Sequence, residues 1–438
     1  MSIQSESVAE EEEEEEIGYN QLAQNPPAPA DEIMNDNNNI NDHENNASPS
    51  VGNEAWEEHG CVLWDLATSR THAELMVQNL VLEVILATLM VSQSPRVTEI
   101  SLGIIGNLAC HEVSRKQIVN VKGLVEVIVD QLFVDDTPCL CEEFSWNAVA
   151  EEVAALAVEV VATIQLQLWL LTLCLQGSEG VTWAHALQPE NVLSRILWIV
   201  ENTLNPQLIE KSVGFLLAIS ESEDDPRALL LPNLVKLGLP NILINLLAFE
   251  ISKLEGDERL PERYSVLDTI LRAIEALTVI DSCAQELCSS RKLFSLLSTL
   301  IKLTDKIEVA TSCVSAAVLI ANLLSDSEDL ILEISQDLVF LQGLLDIFPF
   351  ASDDIEARNA LWDVLSRFLA QFQQGEMNPI NLYKYVSVLA NKSYLIEEEL
   401  LDHQLASSNI DQTASARNLR IRTEAVSFIT SIIKLFKY

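Results

Sequence analysis

The sequence predicts an all-α protein, an α-solenoid of short helical repeats behind a disordered acidic tail. Three observations predict this. The chain is 48% hydrophobic but only 6% aromatic, so aliphatic side chains supply most of the apolar mass. Turn formers are scarce, with 13 Gly and 14 Pro in 438 residues, which favours helices. Similar segments also recur. "AIEALTVIDS" (273–282) and "VLIANLLSDS" (318–327) share an Ala and an Asp-Ser at equal offsets. The step is about 45 residues, and a further step lands on Ser366–Leu369 in another apolar helical run. A period of about 40–47 residues, with two or three helices in each unit, marks armadillo and HEAT arrays.

The elements follow in chain order. Residues 1–53 combine the run Glu10–Glu16, a Pro-rich "NPPAPAD" and the Asn-rich "NDNNNINDHENN". Such a composition buries too little apolar surface to offset ordering, which predicts a disordered tail. Residues 54–438 read as the repeat domain, with about seven or eight units. Ser94-Pro95 is an N-cap followed by proline at the first helical position, so a helix is predicted from Pro95 to about Cys110. It carries Gly103, Gly106 and Asn107 in its second half. Glycine within a helix costs about 1 kcal/mol relative to alanine. The cost is repaid where another backbone or a large side chain must approach closely. Lys122-Gly123 then breaks the chain before "LVEVIVDQL", and Gly238–Leu247 repeats that arrangement. The acidic stretches "FVDDTP", "SESEDDP", "LSDSED" and "FASDDIE" suit helix starts, where Ser and Asp cap and carboxylates meet the positive end of the dipole. The basic, amphipathic stretch from Arg417 to Lys437 reads as a capping helix.

Charge and cysteine usage narrow the partners and the compartment. The formal net charge is -40, and residues 1–58 hold no Lys or Arg. Such a field repels nucleic-acid phosphates and anionic lipids and favours basic protein partners. Val160–Ser178 is uncharged, but Gln165, Gln167 and Gln176 lie within it and no basic flank follows. It is predicted as a buried helix rather than a membrane span. The eight cysteines sit mostly in apolar runs, and no leader of secretory type precedes them. Reduced thiols in the nucleus or cytoplasm are expected.

"CVLWDLA" (61–67) and "PRVTEISLGIIGNLAC" (95–110) resemble the serum amyloid A-like (SAAL) family of armadillo-like helical proteins. The matching positions are Cys61, Trp64, Asp65, Pro95, Arg96, Glu99, Ile100, Gly103, Ile104, Gly106, Asn107, Ala109 and Cys110. The resemblance covers about fifty residues. It implies a non-enzymatic, nuclear or nucleo-cytoplasmic protein linked to cell proliferation.

No residue pattern points to catalysis, a metal or a cofactor. Cys139-x-Cys141 has no second pair at zinc spacing, and no nucleophile elbow, phosphate loop or paired-His helix motif occurs. The expected site is instead a groove built from third helices. Its candidate contacts are Asn107, Asn322, Arg96 and Glu99, with Trp64, Asp65, Gly103 and Gly106 as structural residues. Importin-type arrays place Trp four residues before such an Asn. Here Gly103 and Val318 occupy those positions, so a nuclear-signal receptor is disfavoured. Asn107 has two open roles, a bond to a docked peptide or a staple between helices. The predicted function is a protein–protein scaffold or adaptor of the SAAL type. The alternative is a co-chaperone that embraces an Hsp70 nucleotide-binding lobe. The oligomeric state is left open.

Overall fold

The computed structural model describes residues 50–133, 150–222, 224–254, 260–325, 328–374, 379–392, 394 and 427. Every regular element among them is helical, and no strand occurs. Of the predicted tail 1–53, residues 1–49 lie outside this set, and the last four belong to the first helix, α1 (Ser50–Leu66), so order begins ahead of Glu54. Cys139, Cys141 and the basic stretch Arg417–Lys437, apart from Ser427, also lie outside it.

After α1 the helices come in threes. The first triplet is α2 (Arg70–Gln78), α3 (Val81–Val91) and α4 (Pro95–Ala109). Next come α5 (Glu112–Ile118), α6 (Leu124–Asp130) with a 3-10 turn at Gln131–Phe133, and α7 (Ala150–Leu175). The third is α8 (Gly180–Leu187), α9 (Glu190–Asn202) and α10 (Pro206–Glu221). The fourth is α11 (Asp224–Lys236), α12 (Leu239–Leu254) and α13 (Glu262–Thr278), and the fifth α14 (Asp281–Cys288), α15 (Arg291–Lys302) and α16 (Ala310–Ser325). The sixth is α17 (Glu328–Ser335), α18 (Leu338–Leu345) with a turn at Phe348–Ala351, and α19 (Ile355–Gln374). The helix α20 (Pro379–Asn391) follows and packs on α18. This is an armadillo-like α-solenoid. Among the described residues six full triplets stand between α1 and α20, where the sequence suggested about seven or eight units.

Third helices form the spine. Each of α4, α7, α10, α13, α16 and α19 packs on the third helix of the triplet before it, and α1 fills that place for α4. Second helices form a parallel row: α3 packs on α6, α12 on α15 and α15 on α18. Bonds between neighbouring repeats report the period directly. Asn107–Trp64 and Arg367–Leu324 link residues 43 apart, Tyr264–Glu308 links residues 44 apart, and Asn241–Glu286 and Lys292–Asn245 link residues 45 and 47 apart.

Side-chain caps start three of the third helices, at Ser94 and Asp354 where the sequence placed them and also at Asn205. Ser94 Oγ accepts from Val97 N at 3.3 Å ahead of Pro95, and Asn205 Oδ1 accepts from Leu208 N at 2.9 Å ahead of Pro206. Asp354 Oδ1 accepts from the backbone N–H groups of Glu356 and Ala357 at 2.9 and 3.0 Å, opening α19. At the corners between first and second helices the chain turns left-handed, with φ +86° at Gly123 and +96° at Gly238. The α2–α3 corner does the same with Leu80, φ +64°. A left-handed non-glycine residue costs about 1–2 kcal/mol.

The uncharged stretch becomes part of α7, packed between α4 and α10. Val158–Leu175 is long and apolar enough to cross a membrane, and half of it is buried in the array. Its Gln167 is fully buried and donates to Ile128 O at 2.6 Å. Another polar link inside the core is the buried pair Arg263–Glu250, 3.3 Å apart, where burial raises the carboxyl pKa and Arg263 opposes the rise.

Residues 100–106 of α4 are all buried, so α4 has neighbours on every side. A Cβ added at Gly103 would lie 2.3 Å from the Trp64 ring of α1. One at Gly106 would lie 2.4 Å from the Trp169 ring of α7. Each glycine therefore holds the space into which a neighbouring indole fits. Gly103→Ala or Gly106→Ala should cost about 1–3 kcal/mol by overpacking, measured by denaturant unfolding. Pairing Gly103→Ala with Trp64→Leu should recover part of that loss.

Candidate functional site

The sequence-predicted contacts do not gather at one place. Arg96 and Glu99 lie at the start of α4 and pair with each other at 2.5 Å. Arg96 also reaches toward Cys61 Sγ of α1, at 3.9 Å. Asn107, at the far end of α4, is half-buried and its Nδ2 donates to Trp64 O at 2.9 Å. That bond satisfies one of the carbonyls that a helix leaves open at its C-terminus. This bond ties the end of α4 to the end of α1. Asp65 is exposed, and its carbonyl accepts from the Thr68 hydroxyl. Asn322 is exposed on α16, four triplets farther along the spine.

A different cluster stands out on the third-helix face. A recess of about 630 Å³ opens between the C-terminal ends of α10 and α13 and the starts of α11 and α14. Glu221, Arg227, Arg272, Glu275, Val279 and Asp281 line it. Asp268, one turn above Arg272, has an Oδ1 atom buried without a hydrogen bond. Burial raises its pKa and the charge of Arg272 opposes the rise. Glu275 is raised too. Burial is the largest cause, Arg272 opposes it, and the negative charges of Asp354, Glu356 and Asp268 add to it. Carboxylates from α13 and from the start of α19 thus share one negative field, and a cation entering it would relieve their mutual repulsion.

Sequence reasoning missed Asp268, Arg272 and Glu275. They stand with Val279 at spacings of four, three and four on one side of α13, a signal that becomes legible only once the buried side is known. Asp354 lies in one of the predicted helix-capping loops and fills that role, and its negative charge also bears on Glu275.

Among the described residues no group of three or more His, Cys, Asp or Glu could hold a metal ion. Burial pushes the Cys174 thiol up to about 12 and that of Cys313 up to about 11, which leaves both protonated and poorly nucleophilic at neutral pH.

No family model matches the sequence. A stretch of 170 residues is 27% identical to Protein saal1 of Danio rerio, covering 39% of this chain and 31% of that protein. The chain therefore matches under a third of that relative's length. Among solved structures, a computationally designed armadillo repeat protein for modular peptide recognition is 13% identical with a TM-score of 0.42, covering 63% of this chain and 95% of that one. A designed armadillo repeat protein in complex with the peptide (KR)4 is 14% identical with a TM-score of 0.39, covering 66% and 99%.

Asn107→Ala should lower stability by about 1 kcal/mol, the usual worth of one buried hydrogen bond. Asn322→Ala, on an exposed position, should leave the unfolding midpoint unchanged. Thermal denaturation of the two variants side by side checks both.

Proposed function

We propose that this chain is a non-enzymatic scaffold that docks an extended, basic segment of a protein partner along its third-helix face. The observation that carries the reading is the open recess lined by Glu221, Glu275 and Asp281, where the negative charges of Asp268, Asp354 and Glu356 also bear on Glu275. Arg272 opposes the raised pKa of Asp268 and Glu275 without cancelling it. A Lys or Arg side chain would gain from these carboxylates, and the overall charge of -40 would speed its encounter. The same charge disfavours nucleic acid, whose phosphates it repels. Sequence similarity to Protein saal1 supports a scaffold of that type. Nuclear or cytoplasmic residence and a role in cell proliferation belong to the same proposal and rest on the resemblance in residues 61–110.

Calorimetric titration with an unstructured Lys/Arg-rich peptide, against a neutral peptide of equal length, tests the reading. The basic peptide should bind, and more weakly as salt rises. Glu275→Gln combined with Asp354→Asn, which keeps a capping side chain, should weaken binding about tenfold, equivalent to two partly screened charges. Equal binding of the neutral peptide, or no change in the double variant, would sink the proposal. Capture of an Hsp70 released by ATP would replace it with the co-chaperone reading.

The pH dependence has a defined sign. Below its raised pKa Glu275 is protonated, so peptide affinity should fall as pH drops through that value from neutral. The folded state holds this proton more tightly than the unfolded chain. Glu275 alone therefore stabilises the peptide-free protein most below the ordinary glutamate pKa, and loses that contribution as pH rises through the raised one. Affinity and this part of the stability should move in opposite directions across the same window.

A further inference from the structure

The second-helix row has an exposed first member. Leu82, Ile85 and Leu89 of α3 are buried at the same spacing as Leu193, Ile196 and Val200 of α9 and as Phe294, Leu297 and Ile301 of α15. This registers the three helices on one another. Val84 then corresponds to Arg195, and Leu80 to Lys292. Both later residues reach back to the second helix of the preceding triplet or the turn that ends it. Arg195 Nε donates to Leu132 O at 2.8 Å, and Lys292 Nζ donates to Asn245 Oδ1 at 2.6 Å. The side of α3 that carries Leu80 and Val84 is therefore the one a preceding repeat would cover.

That side is apolar. Leu80, Val84, Ala87 and Val91 recur at steps of four, three and four, which puts them on one stripe. Leu80 is 60% exposed, Val84 48% and Val91 80%. Glu83 is the single charged residue of α3. A terminal repeat needs a polar outer face; at the two positions α9 has Asn191 and Arg195, while α6, α12 and α15 place Val127, Ile242 and Leu296 at that of Val84, partly buried where Val84 is exposed. Leu80 also occupies a left-handed corner where the equivalent corners of two other triplets have Gly123 and Gly238. An exposed leucine is kept there against backbone preference.

We infer that this stripe is the interface between two copies of the chain, with α3 packed antiparallel on α3 about a two-fold axis. Residues 1–49 lack a matching cover. Their apolar residues are separated by Pro26, Pro27, Pro29 and the Asn run, and four of them nowhere recur at helical spacing. The stripe, in contrast, complements itself. An axis midway between Val84 and Ala87 sets Leu80 against Val91 of the second copy and Val84 against Ala87, with the small alanine allowing close approach. It also sets Glu83 against Thr88 rather than against the other Glu83. In a chain of charge -40, a surface so poor in acids is where two copies meet with least repulsion. The contact is symmetric, as most homodimer contacts are. It is also short, so association is a concentration-dependent equilibrium.

Sedimentation velocity of the full chain over a concentration series tests this. A monomer–dimer equilibrium is expected, and Val84→Glu should abolish it with unchanged helical content. Val339→Glu, at an exposed apolar site on α18, should leave it intact. Leu80→Gly separates association from folding, because it should raise the unfolding midpoint of the monomer while weakening the dimer. A monomer at every concentration, or a dimer indifferent to Val84→Glu and Leu80→Gly, would overturn the inference. So would a chain that dimerises only after residues 1–49 are removed, since the tail would then be the cover.

Discussion

The packing of third helices on one another governs this molecule, with α7, α10, α13 and α16 each lying between two others. A helix with neighbours on every side must be apolar nearly all round, and helix axes 8–10 Å apart leave little room for large residues at every contact. In α4 the conflict is resolved by pairing glycine with tryptophan. Gly103 receives Trp64 and Gly106 receives Trp169. The exchange also runs the other way at Gly60 of α1, where an added Cβ would lie 2.7 Å from Ile100 Cγ2. What survives as free surface on a third helix is one narrow strip, so any residue that meets a partner on this face must sit on that strip.

The same stacking explains where polar side chains go. Every helix ends with carbonyls that lack an intrahelical donor, and an array has many helix ends. Side chains of the next repeat meet several of them. Asn107 donates to Trp64 O, the His111 ring lies 3.1 Å from Ala67 O, and Arg367 donates to Leu324 O at 2.9 Å. Gln167 and Arg195 do the same at the end of α6, through Ile128 O and Leu132 O. These staples consume amide and guanidinium donors. Carboxylates cannot serve them, because an ionised acid only accepts. Acids at helix starts find use as caps, as Asp354 does, and the remainder accumulate at the surface.

This division decides what the sequence could reveal. Helix starts were legible, because Ser94-Pro95 and Asp354 act through neighbours two or three residues away. The period was legible from the ends of α13 and α16, since both lead into the first helix of the next repeat under the same constraint. Close approach at Gly103 and Gly106 was legible in kind, but Trp64 and Trp169 are 39 and 63 residues away and could not be assigned from sequence. The roles of Arg96, Glu99 and Asn107 depend on α1, whose position only the packed array fixes. Asp268 and Glu275 escaped notice because a carboxylate on a helix has no signature until the outward strip is known.

A repeat array also treats its middle and its ends differently. In the middle, each residue that faces a neighbour is satisfied by the next copy of the same motif, and selection can vary the outward strip with little cost to the spine. At an end the motif continues but the neighbour does not, so the facing residues must change character or find another cover. In α9 and α15 two backward-facing positions hold bonded cations, Arg195 and Lys292, and elsewhere Ile242 and Leu296 are partly buried against the array. On α3 they are leucine and valine and stand exposed, the leucine in a backbone conformation that it disfavours. A polar replacement would have met the solubility need of a free edge, and a glycine would have relieved the corner. Neither is present, so the requirement met at this edge is contact, and the partner strip on the third helices and the apolar strip on α3 are separate surfaces that one constraint leaves open.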